Sequence, residues 1–91
     1  MGDKEKTTTH HIVCKSRWGS NEKQNRLELP ITTHRALHTL FYNQLLAEQL
    51  ITTVNISSKA LRPEVKERLL ETLTAHDAED LEFWYKPECF K

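Results

Sequence analysis

Thr7-Thr8-Thr9-His10-His11-Ile12-Val13-Cys14, then Asn25-Arg26-Leu27-Glu28-Leu29-Pro30, then His34-Arg35-Ala36-Leu37-His38: the fold turns on these three pieces of one stretch. Three β-branched residues lead into the histidine pair and Ile12-Val13, which predicts a strand. Residues 15–24 are polar and carry Gly19 and Asn21, so a loop is expected. Arg26 to Leu29 alternate polar and apolar, a short second strand, which Pro30 stops or borders. Thr32 and Thr33 are candidate N-caps for a helix reaching about Tyr42. At 100° per residue, His34 and His38 lie about 40° apart on one helix face. Leu37, Leu40 and Phe41 form an apolar stripe beside them, so the histidine face borders the core.

Outward from this stretch, the second half reads as helical. Asn43 caps a second helix through Leu45, Leu46, Leu50 and Ile51, or lies within one long helix; the pattern allows both. Asn55 to Ser58 is a turn. Pro63 stands where a first helical turn tolerates proline. Leu61, Val65, Leu69 and Leu73 then repeat every four residues, with Leu70 beside them, and Glu64 precedes Arg68 in the favourable order. Asp77 is a candidate cap for a last short helix through Leu81 and Phe83. Trp84, Tyr85 and Phe90 form an aromatic end expected to cover the core. Residues 1–6 are mostly charged, which predicts a frayed tail. Residues 7–91 are expected to form a single domain, with helices in 43–91.

A chain of 91 residues buries only about 60–65% of its unfolded surface, so its core is modest. No run of 18 apolar residues suggests a membrane span. The charged start is unlike a signal peptide. A cytoplasmic setting is expected. Cys14 and Cys89 stand 75 positions apart and form no Cys-x-x-Cys pair, which excludes a four-cysteine zinc ribbon and favours free thiols. Net charge is zero, but residues 1–42 hold seven Lys/Arg and four Asp/Glu, giving +3. Residues 43–91 hold six and nine, giving −3. The first half therefore suits a polyanionic partner.

Histidines at i and i+4 on a helix converge on one ion, a common route to a metal site. The order His10-His11, Asn25, His34, His38 over residues 7 to 42 resembles the HNH endonuclease motif of the ββα-metal nucleases, including its colicin-type members. The resemblance implies an α+β fold in which a ββα-metal hairpin and helix is followed by further helices. It implies that His10, His34 and His38 are metal ligands and that His11 is the general base. Neighbours on a strand point to opposite sides, in keeping with two different tasks. Asn25 matches the family residue that tethers the loop holding the base. Trp18-Gly19 departs from the pair of glycines common there; Trp18 would stack on a base or pack.

The activity so implied is metal-dependent hydrolysis of DNA phosphodiester bonds, non-specific or nicking. Three neutral imidazoles favour zinc or nickel, with magnesium or manganese left open. Lys15, Arg17, Lys23, Arg26 and Arg35 are candidate phosphate contacts, since such contacts dominate nucleic-acid affinity. The expected partners are DNA and, for target choice, a second copy of the chain or another protein. A second reading is a non-catalytic nucleic-acid-binding module with a structural zinc on the same histidines. A third is a helical protein whose acidic half docks a partner.

Overall fold

The computed structural model describes residues 6–90. The rest of the charged start, residues 1–5, lies outside the described residues. Lys6 does not fray: its carbonyl accepts from Ile31 N–H at 2.9 Å. The chain is a small α+β fold of two antiparallel strands and four helices. Strand β1 (Thr7–His11) pairs with β2 (Arg26–Pro30), with Thr8 opposite Leu29, His10 opposite Leu27 and His11 opposite Arg26. Helices follow at α1 (Ile31–Phe41), α2 (Leu46–Ile56), α3 (Pro63–Thr74) and α4 (Leu81–Trp84). No helix among the described residues is long and apolar enough to cross a membrane.

The expected caps are not the ones used. Helix α1 starts at Ile31, directly after Pro30, so Thr32 and Thr33 lie inside its first turn and the N-cap position is Pro30. The proline holds φ at −53°, in its ring-fixed range. The strand pairing then supplies Lys6 carbonyl as an acceptor for Ile31 N–H, a donor that a helix start otherwise leaves unsatisfied. Helix α1 ends at Phe41, so there is no single long helix. Asn43 is not a cap either: its amide lies 3.4 Å from Ser16 Oγ. Helix α2 instead begins with Glu48 Oε1 accepting from Leu45 N–H at 2.7 Å. It runs to Ile56, two residues into the expected turn of Asn55 to Ser58. Asp80, not Asp77, caps α4 by accepting from Phe83 N–H. Asp77 closes the preceding turn through Glu79 N–H at 2.9 Å.

The buried core lies beside the β1–β2 connection, not under the histidines. Val13, Leu45 and Cys89 are its centre, with Leu81, Tyr85 and Phe90 packed around them. Tyr85 and Phe90 thus cover the core as expected. Trp84 instead donates its indole N–H to Asp77 carbonyl at 2.9 Å. The C-terminal segment closes onto the connection: Gly19 bridges Phe90, Ser20 N–H donates to Cys89 carbonyl, and Ser20 Oγ donates to Glu88 carbonyl. Gly19 is required by close approach, since a Cβ there would stand 1.7 Å from Val13 carbonyl oxygen. Helix α3 has Pro63 at its first turn, as expected, and contacts α2, but fully buries none of its residues.

Candidate metal centre

Alternation along β1 puts Thr8 and His10 on one face. Helix α1 follows β2 without a linker and lies against that face. His10, His34 and His38 consequently meet. Ring centroids are 5.2 Å apart for His10 and His34, 5.6 Å for His10 and His38, and 4.7 Å for His34 and His38. One ring nitrogen from each lies within 4.8 Å of the other two, so the three could hold a metal ion.

Hydrogen bonds constrain these rings. His38 Nδ1 lies 3.2 Å from Tyr42 carbonyl oxygen, which can only accept. His38 Nδ1 therefore carries a proton, and neutral His38 presents a lone pair at Nε2. That lone pair points at His34 Nε2, 2.9 Å away. His34 Nδ1 lies 2.6 Å from Thr8 Oγ1, a hydroxyl that can donate or accept. His34 can thus keep a proton on Nε2 for His38, or shift it to Nδ1 and leave two lone pairs facing each other. The second arrangement is repulsive unless a cation lies between them. His10 Nδ1 is buried without a hydrogen-bond partner. A buried polar atom without a partner costs free energy, and a metal ion is one way to satisfy it. Burial, and then the neighbouring His34, His38 and His11, push His10 below its usual range. Desolvation, followed by His38 and His11, does the same for His34. Both are neutral near pH 7, the state a ligand imidazole needs.

His11 stands apart from the three. Its Nε2 lies 3.0 Å from Asn21 Oδ1, an acceptor, so Nε2 carries the proton and, in the neutral tautomer, Nδ1 has the lone pair. His11 nevertheless opens into the same hollow as His34 and His38, a groove of about 380 Å³ that Cys14, Lys15 and Tyr42 also line.

Asn25 is fully buried, and its side-chain hydrogen bonds go to backbone groups and not to a histidine ring. Its Oδ1 accepts from Val13 N–H at 2.7 Å, and its Nδ2 donates to Val13 carbonyl at 2.9 Å and Ser20 carbonyl at 2.8 Å. It therefore ties both ends of the connection after His11. The side chain that touches His11 is Asn21, which the sequence did not single out.

The basic residues divide. Lys15 lines the groove with His11, and Arg35 lines a wider hollow of about 760 Å³ that His34 and His38 also line. Arg26 pairs in register with His11 and is exposed, as is Lys23. Arg17 is placed differently. Its guanidinium bonds Glu48 at 3.0 Å and Asn43 carbonyl at 3.2 Å, with Glu79 at 3.5 Å. It joins the β1–β2 connection to α2 and is not left open with the other four. Trp18 is 64% exposed at φ 65°, so it is not a core residue. Cys14 and Cys89 are both free. The fifth histidine, His76, has other neighbours, Asp80 at 2.6 Å and the stacked ring of Phe83.

Thr8 and Tyr42 are further site residues that the sequence reading missed. Thr8 carried a signal, standing two positions before His10 on the same strand face. Tyr42 stands four after His38, but its contribution is a backbone carbonyl, which no side-chain pattern announces. Set against known proteins, the chain matches no family model, no curated protein and no solved structure.

Proposed function

We propose that the chain is a metal-dependent endonuclease of the HNH kind, hydrolysing DNA phosphodiester bonds without strong sequence choice or as nicks. The strand pair and α1 then form its ββα-metal unit. One observation carries the proposal. Three imidazoles converge from strand and helix, while the residue after His10, His11, lines the groove of His34 and His38 and is held there by a different partner, Asn21. Ligation and base catalysis need this separation of roles.

His10, His34 and His38 would hold the ion, and the donor set favours zinc or nickel. A bound divalent ion supplies charge neutralisation for a phosphodiester and its leaving oxygen. His11 Nδ1 takes the proton of the attacking water, with Asn21 fixing the tautomer. Lys15 and Arg35, in the two hollows that His34 and His38 line, hold phosphates along the strand, and Arg26 and Lys23 extend the basic surface. Arg17 has a structural task and no phosphate contact. The proposal places the protein in the cytoplasm, in keeping with two free thiols, and leaves target choice to a second copy or a partner.

Plasmid nicking by chelator-treated protein reloaded with zinc, nickel, manganese or magnesium tests the proposal. His11→Ala should lower the nicking rate by about 10²–10⁴, the range for losing a general base, with metal affinity retained. Metal binding without nicking in the wild type would leave a structural zinc module instead. Nicking indifferent to His11→Ala would overturn the mechanism.

A further inference from the structure

Tyr42 occupies a backbone position suited to glycine. Residues 41–44 form a β-turn closed by Gln44 N–H donating to Phe41 carbonyl at 2.9 Å. Tyr42 is its second residue, with φ 54° and ψ −120°. A type II′ turn has about +60°, −120° there, and glycine is the ordinary occupant because a Cβ is strained at positive φ.

The backbone of Tyr42 has a clear task. Its N–H donates to His38 carbonyl at 2.9 Å, and its own carbonyl accepts from His38 Nδ1. Glycine would perform that task without strain. The phenol ring does not offset the strain by packing, because Tyr42 is 73% exposed, the highest value among the exposed large apolar side chains. Strain kept at one position without an internal return points to an external use.

The place of the ring suggests that use. Tyr42 lines the wide hollow with Arg35, the groove with His11 and Lys15, and a small recess with His10 and Cys14. Its phenol ring is a wall common to all three of these spaces. A basic side chain lines each of the two larger spaces with it, Arg35 in one and Lys15 in the other.

We propose that Tyr42 is a base-stacking platform. Its ring takes the face of an unpaired nucleobase next to the phosphodiester held at the histidine cluster. The site then prefers single-stranded or locally unpaired nucleic acid to an intact duplex, whose bases are already stacked on each other. This preference rests on the nuclease reading and adds substrate class to it. Stacking on an aromatic side chain corresponds to about 5- to 150-fold in affinity per base.

The test uses a single-stranded pentanucleotide with 2-aminopurine at its centre, titrated into zinc-loaded protein and followed by fluorescence. Wild type and Tyr42→Phe should quench the probe and bind alike. Tyr42→Gly, which the turn favours, should keep its melting temperature and zinc affinity, yet lose the quenching and bind about 5- to 150-fold more weakly. Tyr42→Leu, which keeps the strained turn but has no π face, should bind as weakly as the glycine variant. Unchanged binding in Tyr42→Gly, absence of quenching in the wild type, or equal affinity for the same probe in a duplex would each overturn the proposal. Quenching that depends on Tyr42 without metal-dependent nicking would uphold the stacking site and remove the nuclease. Nicking that needs His11 but is indifferent to Tyr42 would remove the stacking site alone.

Discussion

Replacing Asn25 by alanine removes three hydrogen bonds at once, to Val13 N–H, Val13 carbonyl and Ser20 carbonyl. Asn25 and Val13 are fully buried and Ser20 is 4% exposed, so water cannot readily replace the lost amide. Each backbone group left without a partner costs about 1–3 kcal/mol. Taking the lower part of that range for three groups, with some relaxation of the loop, gives a loss of about 3–5 kcal/mol. A chain of 91 residues has a total stability of roughly 5–14 kcal/mol at ordinary values per residue. Asn25→Ala should therefore be only marginally folded when metal-free. Asn25→Asp is a sharper perturbation. It keeps an acceptor for Val13 N–H but turns a second oxygen toward two carbonyls, so it should lose at least as much. Urea denaturation followed by circular dichroism, in chelator, measures both. The Asn25 side chain hydrogen-bonds to Val13 and Ser20 and to none of the three convergent histidines, so zinc at 100 times its dissociation constant should return about 2.7 kcal/mol to either variant. A loss below about 1 kcal/mol in both variants would refute the tether.

Two further outcomes follow from the histidine cluster. Calorimetric titration of zinc into chelator-treated protein should show one site, lost in the His34→Ala, His38→Ala double variant and weakened as pH falls below about 6.5, where protons compete for imidazole. The metal-free protein should also lose stability as pH falls. His10 and His34 are held below 6.5 in the folded state, so the unfolded chain takes up their protons first. Their contribution is at its full value above about pH 6.5 and declines from there toward the lower folded values. Urea midpoints at pH 7.5, 6.5 and 5.5, compared with a His10→Gln, His34→Gln variant, check the sign. A wild-type midpoint that rises on acidification relative to that variant would contradict it.

The charge division between the halves survives in the structure only in part. Lys15 and Arg35 line hollows with the histidines, but Arg17 is drawn to Glu48 and Glu79 of the acidic half. Counting charges along the chain could not distinguish them. All three are cations in the basic half, and only the fold decides which has carboxylates within 4 Å.

What the sequence determined by itself is local. The β-branched run before His10, the alternation from Arg26 to Leu29, and the four-residue spacing of His34 and His38 specify strand, strand and helix, because those periodicities follow from backbone geometry within a few residues. They also specify that His10 and His11 face different ways. Tertiary structure alone decided the partners. Ile31 N–H is satisfied by Lys6, so the threonine caps are not needed. Asn21 reaches His11 across the connection, and Asn25 is turned inward onto Val13 and Ser20. Tyr42 holds a glycine conformation because the turn after α1 must return its carbonyl to His38. Each of these choices depends on which donor and acceptor meet once the hairpin, α1 and the C-terminal segment have packed. That distance is set in space, and residue type along the chain does not encode it.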